Sequence, residues 1–188
     1  MDTFVTRVYE SGDYYSGQTK GTNEHGNGRM TYMAKPDDIC DHYYDGEWQN
    51  DYKNGHGTYQ FFDGSAYVGQ WQDGRIHGNG KMTYIAKPAD ICEQYYDGEW
   101  QNGLYNGHGT YQHDNGDVYV GQFKDDEFHG QGRMTYKAQP GDTCERLYDG
   151  QWANDEINGL GKQQSGDGTL QEGIFEDNIF VGQHSDSV

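Results

Sequence analysis

The amino-acid sequence predicts an all-β protein built from consecutive hairpins. Three observations carry that prediction: a 52-residue internal repeat, glycine at fixed places within it, and aromatic–glycine–aromatic alternation. The motif Tyr-x-Gly-x-aromatic heads units at Tyr15, Tyr44, Tyr67, Tyr96, Tyr119 and Tyr148, and Gln171 heads a seventh. Steps between unit heads alternate between 29 and 23 residues, so one long and one short unit make the period of 52. YDGEWQN stands at 44–50 and again at 96–102, and YDGQWAN at 148–154.

The third residue of every unit is Gly, from Gly17 to Gly173, and so is the twelfth, from Gly26 to Gly182. The fourteenth is Gly in six units, from Gly28 to Gly161. The fifth is Trp48, Trp71, Trp100, Phe123, Trp152 or Phe175 in six units, with Thr19 in the first. Gly costs about 1 kcal/mol against Ala inside a helix, and this density leaves no stretch for three helical turns. In a strand, positions 1, 3 and 5 share a face, so two rings flank a bare patch of backbone. The Gly-x-Gly of the following strand, such as Gly78 and Gly80, offers a second patch on which a neighbouring ring can lie. Asn50-Asp51 and Asp73-Gly74 read as hairpin turns, and Asp63-Gly64, Asn115-Gly116 and Asp167-Gly168 as the turns into the next unit.

The long units carry inserts: MAKPDDICDHY (33–43), IAKPADICEQY (85–95) and KAQPGDTCERL (137–147). Each holds one proline, so it is expected to start as an extended or turn segment rather than a ladder strand. Residues 1–14 read as an N-terminal half-unit cap and 171–188 as a C-terminal partial unit or cap. Such ends either cover an edge or dock a second copy.

With 31 acidic and 13 basic residues, the net charge is −18. Leu, Ile, Val and Phe number 25, a poverty that normally signals disorder. The 17 Tyr, 7 Phe and 4 Trp argue the other way: the buried surface is ring on glycine rather than aliphatic core. No apolar run approaches the roughly 20 residues of a membrane helix, and Met1–Glu10 has no secretory h-region. The negative charge disfavours nucleic acid, whose binding rests on Lys and Arg neutralising phosphates. Three cysteines make no closed disulfide framework, which points to a reducing, cytoplasmic home.

YVGQWQDGRIHGNG at 67–80 and YDGEWQNGLYNGHG at 96–109 resemble MORN (membrane occupation and recognition nexus) repeats, and the resemblance runs from Tyr15 to about Phe175. It implies a single array over 1–188: an elongated single-layer antiparallel sheet of hairpins, curved and twisted into a groove. Seven hairpins at roughly 4.8 Å per strand would span on the order of 65 Å. The resemblance implies no catalytic centre and no cofactor, and a role holding partner proteins, cytoskeletal, ciliary or axonemal ones as in much of the family.

The candidate partner-binding groove is an aromatic stripe: Tyr44, Trp48, Tyr67, Trp71, Tyr96, Trp100, Tyr119, Phe123, Tyr148 and Trp152. Tyr and Trp join large contact area to a polar handle. Some of these rings are expected on Gly in the core and the rest along the trough. With acidic rims, the trough would prefer an extended or helical protein segment that is basic or amphipathic. A second candidate is a lipid-facing basic row, Arg29, Lys81 and Arg133 with Lys35 and Lys87 beside it. At a spacing of about 19 Å the row does not converge on one headgroup, so direct membrane binding is not expected.

Cys40, Cys92 and Cys144 share one register about 19 Å apart, beyond the roughly 7 Å that a disulfide tolerates. They read as small buried anchors for the inserts, beside Ile39, Ile91 and Thr143; the alternative is a redox or metal site built with a partner chain. His25, His77 and His129, and likewise His56 and His108, read as turn residues, and no metal site is expected. The carboxylates Asp45, Asp97, Glu47 and Glu99 recur with the period, as surface does and a unique active site does not. The insert acids Asp37, Asp38, Asp41, Asp90, Glu93, Asp142 and Glu145 read as solvated charge. The expected function is therefore a non-enzymatic scaffold or adaptor. The alternatives are a phosphoinositide or membrane-surface module, a regulatory subunit of an enzyme, and a glycan binder. A homodimer through the chain ends is a further expectation.

Overall fold

The computed structural model describes residues 2–86 and 92–183. The expected position Lys87 and the middle of the second insert therefore lie outside the described residues. The fold is all-β, with no helix among the described residues. Its strands are β1 (Asp2–Val8), β2 (Tyr14–Lys20), β3 (Asn23–Tyr32), β4 (His42–Gln49), β5 (Tyr52–Gln60), β6 (Ala66–Gln72), β7 (Arg75–Thr83) and β8 (Tyr95–Gln101). They continue as β9 (Leu104–Gln112), β10 (Val118–Lys124), β11 (Glu127–Tyr136), β12 (Arg146–Ala153), β13 (Glu156–Gln164), β14 (Leu170–Glu176) and β15 (Ile179–Gly182). Strand order follows the sequence in an open antiparallel sheet of hairpins. The chain divides into two compact units, residues 1–85 with 99–103 and residues 86–98 with 104–188.

Within the first unit, the hairpins β2–β3, β4–β5 and β6–β7 share one register. In β4–β5, Tyr44 faces Tyr59, Gly46 faces Gly57 and Trp48 faces Lys53, with a bulge between Gly46 and Trp48. The turn residues take the left-handed conformation that a tight hairpin needs, Asn50 at φ 50° and Asp51 at 70°. The bulge residue Glu47 serves both sides of the hairpin. Its carbonyl accepts the Tyr44 hydroxyl at 2.8 Å, and its side chain accepts the His56 N–H at 2.8 Å. Gln70 repeats both bonds in β6–β7, to Tyr67 Oη at 3.0 Å and Asn79 N at 2.7 Å.

The motif tyrosines are the core. Tyr15, Tyr44, Tyr67, Tyr96, Tyr119 and Tyr148 are all 0% exposed. Each ring lies on the glycine pair of its own hairpin: a Cβ at Gly109 would stand 2.6 Å from Cε2 of Tyr96. Within each unit a fifth-position ring stands between successive tyrosines, edge-on to both. Trp48 meets Tyr15 at 5.5 Å and 84° and Tyr44 at 5.1 Å and 85°. In the second unit Trp152 meets Tyr119 at 5.4 Å and Tyr148 at 5.3 Å. Edge-to-face pairs of this kind contribute about 0.5–1.5 kcal/mol beyond the area they bury. The indole N–H groups bond back to the preceding hairpin, Trp48 to Gly28 O at 2.9 Å and Trp152 to Gly132 O at 3.0 Å. Within each unit consecutive hairpins are thus joined by ladder and ring, with an indole bond added where the ring is tryptophan.

Hairpin turns add a further link. The backbone N–H of Asp51 bonds to Glu24 O at 3.1 Å, and its carboxylate accepts the Glu24 N–H at 2.7 Å. Asp155 does the same for Phe128, and Asn178 for Ile157. Gly74 keeps only the backbone half of this device, to Lys53 O.

The first and third inserts begin as turns closed by aspartate, with Asp38 accepting the Lys35 N–H and Asp142 the Gln139 N–H, both at 2.6 Å. They anchor on the neighbouring turn through cysteine and backbone. Cys40 Sγ donates to Phe61 O at 3.2 Å, and the Cys144 N–H to Gly166 O at 3.0 Å. Ile39, expected to help, is instead 69% exposed and contributes its N–H, to Phe62 O at 2.9 Å.

Candidate functional site

All ten residues of the expected trough are buried: Tyr44, Tyr67, Tyr96, Tyr119 and Tyr148 completely, and Trp48, Trp71, Trp100, Phe123 and Trp152 to within 7% exposure. This corrects the expectation that part of the stripe is free surface. The cause is the glycine pair, which lets each tyrosine lie flat on the backbone; Tyr44, Tyr67, Tyr119 and Tyr148 also spend the hydroxyl on their own bulge carbonyl. Burial raises the Tyr15 and Tyr148 hydroxyls to about 12.

A second, half-exposed ring layer sits on the first, and the search for motif residues misses it. It comes from the tenth residue of each unit (Glu24, Lys53, Ile76, Tyr105, Phe128, Ile157 and Phe180), of which Glu24 and Ile157 are buried, and from the sixteenth, which includes Tyr59 and Tyr111. In the second unit Tyr105 stacks on Tyr96 at 3.8 Å and 18°, and Phe128 on Tyr119 at 3.9 Å and 15°. Tyr111 stands 6.0 Å from Tyr105, with His113 packed on it at 4.7 Å. In the first unit Tyr32 stacks on His42 at 4.5 Å, and His42 bonds to the Tyr59 hydroxyl. Burial holds both His42 and His113 below the ordinary histidine value.

Lys53 interrupts the layer. Its Nζ lies 4.0 Å from the Tyr59 ring centroid, 5.1 Å from Trp71, 5.4 Å from Tyr44 and 5.7 Å from Tyr32. No carboxylate forms an ion pair with it among the described residues. Desolvation lowers its pKa to about 8.

The expected basic row lies on the opposite face and is met by acids. Arg29 pairs with Asp45 at 3.6 Å and covers the Tyr43 ring at 3.7 Å; Arg133 pairs with Glu145 at 3.1 Å. Lys35 is exposed on its insert, and Lys81 is half-buried and engaged. Cys40, Cys92 and Cys144 are all free thiols, and against expectation none is fully buried: Cys40 and Cys92 are half-buried and Cys144 is exposed. Among the described residues no group of three or more His, Cys, Asp or Glu is placed to hold a metal ion.

Tyrosine on paired glycines, a bulge after each pair and an indole or phenyl ring bonding hairpin to hairpin define a β-hairpin repeat array. The family profile of the MORN repeat matches residues 44–66, 67–85, 96–118, 119–138 and 148–170, more than half of the chain. The protein belongs to the MORN repeat family, whose repeat is an interaction module and not a catalytic one. It is also similar to Alsin of Homo sapiens, 28% identical over 155 residues that cover 82% of this chain and 9% of that protein. Alsin of Mus musculus is 28% identical over 140 residues, 74% of this chain and 8% of the relative. The chain therefore spans less than a tenth of the length of these relatives.

Proposed function

We propose that this chain is a non-enzymatic scaffold that holds a partner protein against the half-exposed rings each unit carries. The partner segment is extended or helical, and basic or amphipathic. The observation that carries this reading is the second layer: Tyr32, Tyr59, Tyr105, Tyr111 and Phe128 remain partly open although the core beneath them is already complete. Half-exposed tyrosines bury more area on binding and keep a hydroxyl for orientation. A net charge of −18 favours basic partners and speeds their encounter. Membership of an interaction-repeat family supports the same role.

The test compares two double variants with wild type in a capture experiment from extract. Tyr59→Ser/Tyr111→Ser removes rings from the second layer. Val68→Ser/Val120→Ser removes exposed apolar side chains, 57% and 53% exposed, from the opposite face. Loss of partner from the first variant only is the expected result. A partner lost only from the second would move the interaction to the other face.

A further inference from the structure

One register position in the first unit breaks the rule of the array. Where the other hairpins put Lys53, Ile76, Tyr105, Phe128 and Ile157, the first hairpin buries a carboxylate, Glu24, at 4% exposure. One oxygen of Glu24 accepts the Tyr9 hydroxyl. The other has no hydrogen-bond partner among the described residues. That oxygen keeps contact with solvent and is not a buried orphan, yet a carboxylate this enclosed is costly, and an apolar residue at this register would be the stable choice.

Glu24 stands at the edge of a cavity of about 470 Å³ that lies wholly within the first unit. Tyr9, Met30 and Tyr32 supply apolar walls, and Asp51 and Asp13 add negative charge against the single cation Arg7. Asp51 and Asp13 each commit one oxygen to a backbone N–H, of Glu24 and Met33, both at 2.7 Å. The second oxygen of Glu24 is thus open to the cavity, as is that of Asp51, and rings beside them suit the apolar stem of a cation as well as its charge.

We infer that this cavity recognises one cationic side chain, the ammonium of a lysine or the guanidinium of an arginine, presented by the partner segment. The inference deepens the scaffold reading and rests on it for the source of the cation. Ion pairing inside the cavity adds a second donor to the one Tyr9 gives Glu24, and a basic segment held on the ring layer has its register fixed by that one residue.

The experiment titrates the full chain with acetylated, amidated Gly-Arg-Gly, Gly-Lys-Gly and Gly-Gln-Gly, following the Met30 methyl resonance. Saturable shifts with the Arg or Lys peptide, absent with the Gln peptide, are expected. Glu24→Gln keeps the shape and removes the charge, and should weaken the titration about tenfold or more. Glu24→Leu, matching the apolar residues at this register, gives a second folded variant that should not titrate. No saturable shift, an equal shift from the Gln peptide, or a shift that survives both variants would overturn the inference. A captured partner that binds Glu24→Gln as tightly as wild type would sink this pocket and leave the scaffold reading intact. A peptide that titrates into wild type alone, with no partner lost from the ring-layer variant, would do the reverse.

Discussion

The first and second units are built on the same core and differ in what lies on top of it. In the second, Tyr105, Phe128 and Ile157 continue the apolar layer, two of them stacked ring on ring. In the first, the same register carries a buried carboxylate at Glu24 and a ring-enclosed ammonium at Lys53. The tyrosine–glycine layer thus sets the fold in both units. The tenth position of each hairpin is where a repeat can change its surface without changing its ladder.

The comparison breaks most sharply at the shared layer. Tyr44→Ala and Tyr119→Ala should each cost about 3–5 kcal/mol, read as similar falls in denaturation midpoint. A large cost in one unit and a small one in the other would mean that the cores are not equivalent. Phe128→Ala should cost less, about 2–3 kcal/mol, since that ring is half-exposed.

Lys53→Ile should move the protein in the other direction, stabilising it by about 1 kcal/mol at neutral pH. The sign follows from proton binding. Folded Lys53 titrates near 8 and the unfolded side chain near 10.5, so between these values the unfolded state binds more protons and wild-type stability rises with pH. The advantage of the variant should accordingly shrink from pH 8 towards 10.5 in urea titrations. An advantage that stays constant would show that Lys53 is not desolvated.

Glu24 gives the mirror case. Burial raises its carboxyl above the ordinary 4.5, so ionisation destabilises the fold as pH rises through and above that value. Glu24→Leu should gain on wild type at neutral pH, and the gain should fade as the medium is acidified below about 4.5. The smallest effect belongs to the turns: Asp155→Gly removes the bond to Phe128 N–H, is partly offset by the ease of glycine at φ 66°, and should cost about 0.5 kcal/mol by thermal unfolding.

Much of this was legible in the sequence. The hairpin turns at Asn50-Asp51 and Asp73-Gly74 stand where turn chemistry puts them, and the alternation of Tyr44, Gly46 and Trp48 assigned one face correctly. The depth of each ring was not legible. A period-2 pattern shows which residues share a face, and says nothing about which of them lies beneath another. The second layer was hidden for a different reason. Its tenth position reads Glu, Lys, Ile, Tyr, Phe, Ile and Phe, so no repeated residue marks it.

The most direct test of the two-layer arrangement is hydroxyl-radical footprinting of the native chain, read residue by residue by mass spectrometry. We expect Tyr59, Tyr105 and Tyr111 to be oxidised readily, and Tyr15, Tyr44, Tyr67, Tyr96, Tyr119 and Tyr148 to be protected until the protein unfolds. Oxidation of the motif tyrosines at the rate of Tyr59 would contradict the account and return them to the surface.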